Sequence, residues 1–270
     1  MTFLAAAGWT LAVVFLYWFA LSAAESIRPG ALGDLVTRTT CGALAYSLAL
    51  LLILRVHEPE GSIRRILAVR PPALLALPLA VVVGGGLSAP VAWLDDVLLA
   101  RFPPTPEEQE TIEKVYGVAT YDTTGKRIAL VVTVILVMPI LDELFFRGAL
   151  FTPLRRAHRL GPVILATAAY ETLVSTAHAR EMLGFCVLAL VVSSVRGVSG
   201  SVLPSILARI SFYAPRFLPL ALGRSIVPAS KALLVSSLAA SAAALALLAL
   251  VSRRSRVAHA ELERITIDDG

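Results

Sequence analysis

Between Pro139 and Gly148 the chain reads Pro-Ile-Leu-Asp-Glu-Leu-Phe-Phe-Arg-Gly, which sets Asp142, Glu143 and Arg147 inside an otherwise apolar run. An ionised side chain in mid-bilayer costs about 2.5–3.5 kcal/mol on an insertion scale, so three retained in one helix ask for a purpose. Glu143 and Arg147 are four residues apart and share a helix face, where they can pair. Asp142 is turned from Glu143 by about 100° and is free to face something else. A second apolar run carries Glu171, Val174 and His178 at i, i+3 and i+7, on one stripe. A third spaces Ser205, Arg209 and Tyr213 by fours. An arginine in mid-span needs an anionic partner, and Asp142, Glu143 or Glu171 could provide it. The bland alternative is a charge-neutral network that only glues helices together.

The elements that must position these groups are membrane helices. Of 270 residues 57% are hydrophobic and 16% charged, and the mean hydropathy is +0.78. Soluble domains sit near 45–50% apolar and about 25% charged, which excludes an ordinary cytosolic enzyme, a disordered tail and a disulfide scaffold. The expected fold is an all-α polytopic bundle of about eight transmembrane helices: Phe3–Ala24, Thr39–Val56, Ala73–Leu94, Arg127–Leu154, Gly161–Ala179, Met182–Val195, Ser201–Leu222 and Lys231–Val251. Met182–Val195 is short for a span unless it tilts or extends past Arg196. Phe3–Ala24 has no basic leader and is longer than a signal-peptide core, so it reads as a retained first span.

His57–Pro72 mixes arginines with Ile63, Ile66, Leu67 and Val69 and reads as an interfacial elbow. Asp95–Lys126 reads as a hydrated acidic loop with a short helix from Pro106 to Tyr116. The organisation expected is therefore N-terminal helices with elbow and loop over residues 1–126, a core over 127–222, and a last helix with a basic tail over 223–270. The net charge of +5 sits in short loops between apolar runs, so it signals topology rather than nucleic-acid binding. Arg55, Arg64, Arg65, Arg70, Arg155, Arg156, Arg159, Arg196, Arg253, Arg254 and Arg256 gather on one side, which puts both termini in the cytoplasm. Cys41 and Cys186 lie in apolar runs and read as buried thiols.

Asp142-Glu143-Leu-Phe-Phe-Arg147-Gly148 resembles the Glu-Glu-x-x-x-Arg motif of the CPBP family, the intramembrane peptidases related to type II CAAX prenyl endopeptidases and to bacteriocin-processing proteins. Val174-Ser-Thr-Ala-His178 is similar to the family's Phe-x-x-x-His, and Gly200-Ser201-Val-Leu-Pro204-Ser-Ile-Leu-Ala-Arg209 to its Gly-Ser-x-x-Pro-x-Ile-x-x-His. The similarity covers roughly Val131 to Tyr213. The departures are chemical: Asp142 stands where the family has its first Glu, Val174 its Phe, Arg209 its third-motif His, and Tyr213 its Asn.

The resemblance implies cleavage of a membrane-anchored protein or peptide near its C-terminal anchor, at a bacterial inner membrane. Zinc is admitted by the resemblance, but a catalytic zinc wants about three ligands and an open position, and arginine cannot ligate. No cofactor or metal ligand is therefore expected. A metal-free route needs a carboxylate with His178 to activate water, and donors for the oxyanion. Asp142 or Glu143 suits the first role, and Arg209 and Tyr213 can fill the second, with Arg147 and Glu171 supporting. With His178 near the end of its span opposite the Arg155–Arg159 turn, the site tilts towards the non-cytoplasmic face. The competing readings are a pseudoprotease, in which Arg209 locks the acids in salt bridges, and a transporter. The transporter ranks last because Gly84-Gly85-Gly86 has no counterpart in the second half.

Overall fold

A backbone in hydrocarbon has no water to bond, so runs of Leu, Val, Ala and Ile of this length satisfy their N–H and C=O groups within helices. In the computed structural model, which describes residues 1–57, 63–106, 109, 124–175, 182–222 and 230–268, every one of the eight runs is helical. The helices are α1 (Phe3–Ile27), α2 (Leu35–His57), α3 (Ala76–Arg101), α4 (residues 124–157), α5 (Leu160–Val174), α6 (Met182–Ser199), α7 (Val202–Ala221) and α8 (Lys231–Asp268). No strand occurs among the described residues. The chain is a multi-pass, all-α membrane protein.

Among the described residues six helices, α1, α2, α3, α4, α6 and α8, are long and apolar enough to cross a membrane. Two of the eight expected runs fall outside that set, and residues 176–179 of the fifth lie outside the described residues. Helix α5 has only 15 residues. Helix α7 has the length, but it carries Arg209 and Arg216 with Pro215 and Pro219, and it lies against α3, α4 and α6 inside the bundle. The expected helix from Pro106 to Tyr116 falls mostly outside the described residues, as does the elbow segment 58–62.

Two expectations about loops are corrected. Arg196 is not a loop cation: α6 continues to Ser199, and Arg196 is buried within it. Asp95 and Asp96 are not in a hydrated loop either, because α3 runs on to Arg101 and Asp95 accepts a 2.8 Å bond from Arg216 Nη2 across to α7. In both cases the helix continues because the charge finds a partner in a neighbouring helix.

The elbow reaches deeper than an interfacial segment. A single helical turn, Ile63–Ile66, leads into buried Leu67 and Ala68. Ala68 takes a left-handed conformation, with φ of 50°, that turns its carbonyl onto Val202 N–H at 3.2 Å. Ser201 Oγ donates to the Arg70 carbonyl at 2.7 Å. These bonds occupy polar groups at the start of α7, which would otherwise carry unsatisfied donors.

Helix α4 departs from regular α geometry twice. Val132–Val137 and Leu144–Leu150 are π-helical, and Met138–Glu143 between them is α-helical. Such bulges re-aim side chains and are common at functional sites. The charged triplet straddles the second junction, with Asp142 and Glu143 before it and Arg147 inside it.

Candidate active site

Helices α4, α5 and α7 bring their ionisable groups to one place. Arg209 on α7 is the hub. Its Nε donates to Glu143 Oε1 at 2.6 Å, its Nη1 to Asp142 Oδ2 at 3.3 Å, and its Nη2 to Glu171 Oε1. Glu171 bridges two arginines, since its Oε2 accepts from Arg147 Nη1. Arg147 Nη2 donates to the Ala189 carbonyl of α6 at 2.7 Å. The expected Glu143–Arg147 pair is present at 3.5 Å, yet it is the looser contact, because the π-helical turn swings Arg147 towards α5 and α6.

A third arginine adjoins the cluster. Arg196 Nε donates to the Arg147 carbonyl at 3.0 Å, Nη2 donates to Thr152 Oγ1 at 3.1 Å, and the guanidinium lies 5.1 Å over the Phe151 ring. The three carboxylates (Asp142, Glu143, Glu171) pair with two guanidinium groups, Arg147 and Arg209. Pairing of opposite charges is the arrangement under which ionised groups can be held away from water.

The acids are not equivalent. The Asp142 side chain is 18% exposed, whereas those of Glu143 and Arg209 are at or below 1%. Glu143 Oε2 and Arg147 Nε are buried with no hydrogen-bond partner among the described residues. Asp142 is thus the most exposed of the three carboxylates, with a single arginine contact. Tyr213 lies one turn beyond Arg209 on α7. Its ring packs edge-on against Phe212 and towards Phe217, in electrostatic range of Arg209 and Asp142.

Of the residues singled out by spacing, Asp142, Glu143, Arg147, Glu171, Arg209 and Tyr213 come together. His178 lies outside the described residues. Ser205 shares the Arg209 face, but its hydroxyl turns back onto the Val202 carbonyl at 2.8 Å. Val174 packs into an apolar cluster with Phe145 and Phe146. Two contributors escape a reading of spacing alone. Arg196 resembles a loop cation in sequence. Tyr46 on α2 hydrogen-bonds the Asp142 carboxylate, and its only signal was a phenol in an apolar run, where a buried hydroxyl must find a partner.

A metal does not fit these groups. The carboxylates that could ligate converge, but the Arg209 guanidinium already lies on all three and offers only donors. To bind, an ion would have to expel a cation held by charge-assisted bonds. Among the described residues no group of three or more His, Cys, Asp or Glu side chains is arranged as a metal site.

Fold and cluster together define a polytopic membrane protein with a buried ionic centre at the junction of three helices. A family model described as type II CAAX prenyl endopeptidase Rce1-like matches residues 124–214, and over that segment the chain is similar to this family. The matched residues run from the start of α4 to Ala214 on α7 and contain the whole acid–arginine cluster. No curated protein and no solved structure matches the chain.

Proposed function

We propose that the chain is a metal-independent intramembrane endopeptidase that cleaves a membrane-anchored protein or peptide near its C-terminal anchor. The observation that carries this reading is the asymmetry of the acids: Glu143 and Glu171 are tied into the buried network, while the Asp142 side chain is 18% exposed. Asp142 accepts a proton from a water molecule, and the water oxygen attacks the scissile carbonyl. The negative charge that develops on the carbonyl oxygen receives N–H bonds from Arg209, which has five donors and spends three on the acids, together with an O–H bond from Tyr213. The proton returns to the departing amide nitrogen as the C–N bond breaks. His178 is, by residue type, the group that helps to hold the water. Glu143, Glu171 and Arg147 hold Arg209 in place, and Arg196 braces the Arg147 backbone.

The test is cleavage of a membrane-anchored peptide by the full chain in proteoliposomes. Asp142→Asn removes the base without changing shape and lowers the rate at least about a hundredfold, the lower bound of what a general base contributes. Undiminished cleavage by Asp142→Asn, with the protein folded, contradicts the assignment.

A second reading has one observation in its favour. Because Arg209 touches all three carboxylates, it also suits a pseudoprotease whose cluster is locked and which serves as a membrane binding or immunity module. That reading predicts no turnover by the native chain on any membrane-anchored peptide, and loss of fold rather than loss of rate in Arg209→Ala.

A further inference from the structure

Helix α2 lies outside the segment matched by the family, yet it reaches the site helix at two successive levels. Gly42 is the first: a Cβ there would lie 3.4 Å from Met138 Cε, so the two helices are already in close contact. One turn on, the Tyr46 ring packs edge-to-face against Phe145, with centroids 5.4 Å apart at 71°, and against Phe146 at 6.3 Å and 71°. Phe145 and Phe146 are themselves edge-to-face at 5.0 Å and buried. The phenol is thereby held by two fixed rings immediately after the acidic pair. Its hydroxyl meets the Asp142 carboxylate.

Asp142 is thus gripped from two sides by groups on different helices, Arg209 Nη1 of α7 on Oδ2 and the Tyr46 hydroxyl of α2. An aspartate has one rotatable bond fewer than the glutamate that the family places here, and cannot reach as far. Its rotamer must be set from outside if it is to hold water at a fixed distance. A displacement near 1 Å is enough to cost about a hundredfold in rate. We infer that Tyr46 is a positioning residue, whose hydroxyl orients the Asp142 carboxylate for its work on water. This inference rests on the proposed endopeptidase reading for its effect on rate, but not for the bond itself.

Tyr46→Phe tests it cleanly, because it keeps the ring on Phe145 and Phe146 and removes only the hydroxyl. In proteoliposomes, kcat for a membrane-anchored peptide falls at least about tenfold while KM stays within about twofold, and Tyr46→Phe added to Asp142→Asn causes no further loss. A purely structural role would instead show as a lowered unfolding midpoint with kcat unchanged. The bond is read separately by infrared difference spectroscopy, in which the carboxylate stretch abolished by Asp142→Asn is displaced by Tyr46→Phe. If the native chain cleaves nothing, the endopeptidase reading fails, and the infrared arm still decides whether Tyr46 sets the Asp142 carboxylate. Native turnover with an unaltered kcat in Tyr46→Phe, or an unmoved carboxylate band, overturns the inference.

Discussion

Glu171 joins both central arginines through separate oxygens, one on Arg209 and the other on Arg147, whereas Glu143 reaches both through a single oxygen and only at 3.5 Å on Arg147. Without Glu171 the Arg147 guanidinium would keep only that looser acid contact. Removing one partner of a buried pair costs about 3–5 kcal/mol, because the remaining charge stays buried and uncompensated. Glu171→Ala is accordingly expected to lower the unfolding free energy by about that amount in micelles. Asp142→Asn, partly exposed and held by one arginine, should cost visibly less. Equal losses in the two variants would mean that Glu171 is not the keystone. The residue types of this cluster were legible in the sequence, since a charge in an apolar run stands out against its surroundings. Who pairs with whom was not. Spacing on one helix offers Arg147 only Glu143, whereas its nearer partner is on α5, a contact between elements 24 residues apart. Tyr46 was missed for the same reason, being separated from Asp142 by most of the N-terminal half.

Helix α3 shows how an element sets the position of a residue that it does not contain. A Cβ on Gly84 would lie 1.8 Å from the Ala208 carbonyl oxygen, so the α3 and α7 backbones touch one residue before Arg209. Gly86 makes a comparable approach to α8, where a Cβ would lie 2.7 Å from the Ser237 carbonyl. Between them Gly85 faces only Ser211 O at 3.8 Å. Gly84→Ala must push α7 aside, and overpacking of this kind typically costs about 1–3 kcal/mol. The thermal midpoint in micelles should therefore drop for Gly84→Ala and hold for Gly85→Ala; the reverse order would contradict this packing. The triple glycine was visible in sequence, and its lack of a repeat argued against a transporter, but its purpose depends on a carbonyl 124 residues away. The π-helical segments of α4 were equally hidden, because no local residue pattern distinguishes them from a regular helix. Helix existence, by contrast, was readable throughout, since hydrocarbon permits few other conformations. The ends were less so, because Arg196 and Asp95 look solvated until their partners are known.

At the scale of the whole molecule, large apolar side chains such as Leu4, Leu11, Phe15 and Phe19 on α1 and Leu238, Leu247 and Leu250 on α8 are exposed on the outside of the bundle, as lipid-facing surface is. The basic loops predict that both termini lie on the cytoplasmic side. The expected outcome is that a membrane-impermeant thiol reagent modifies cysteines placed at Thr2 and at Arg253 from the cytoplasmic side only. Labelling from opposite sides would break the topology. The same assembly makes a polar centre possible at all: opposite charges on α4, α5 and α7 pair with one another, and Asp142 is left as the most exposed of the acids. Whether that centre breaks amides without an ion is the question on which the account turns. The most direct measurement is the initial rate at which the reconstituted native chain cleaves a membrane-anchored peptide, taken with and without excess strong zinc chelator. The account predicts turnover that the chelator leaves unchanged. Cleavage abolished by the chelator and restored by added zinc would contradict it.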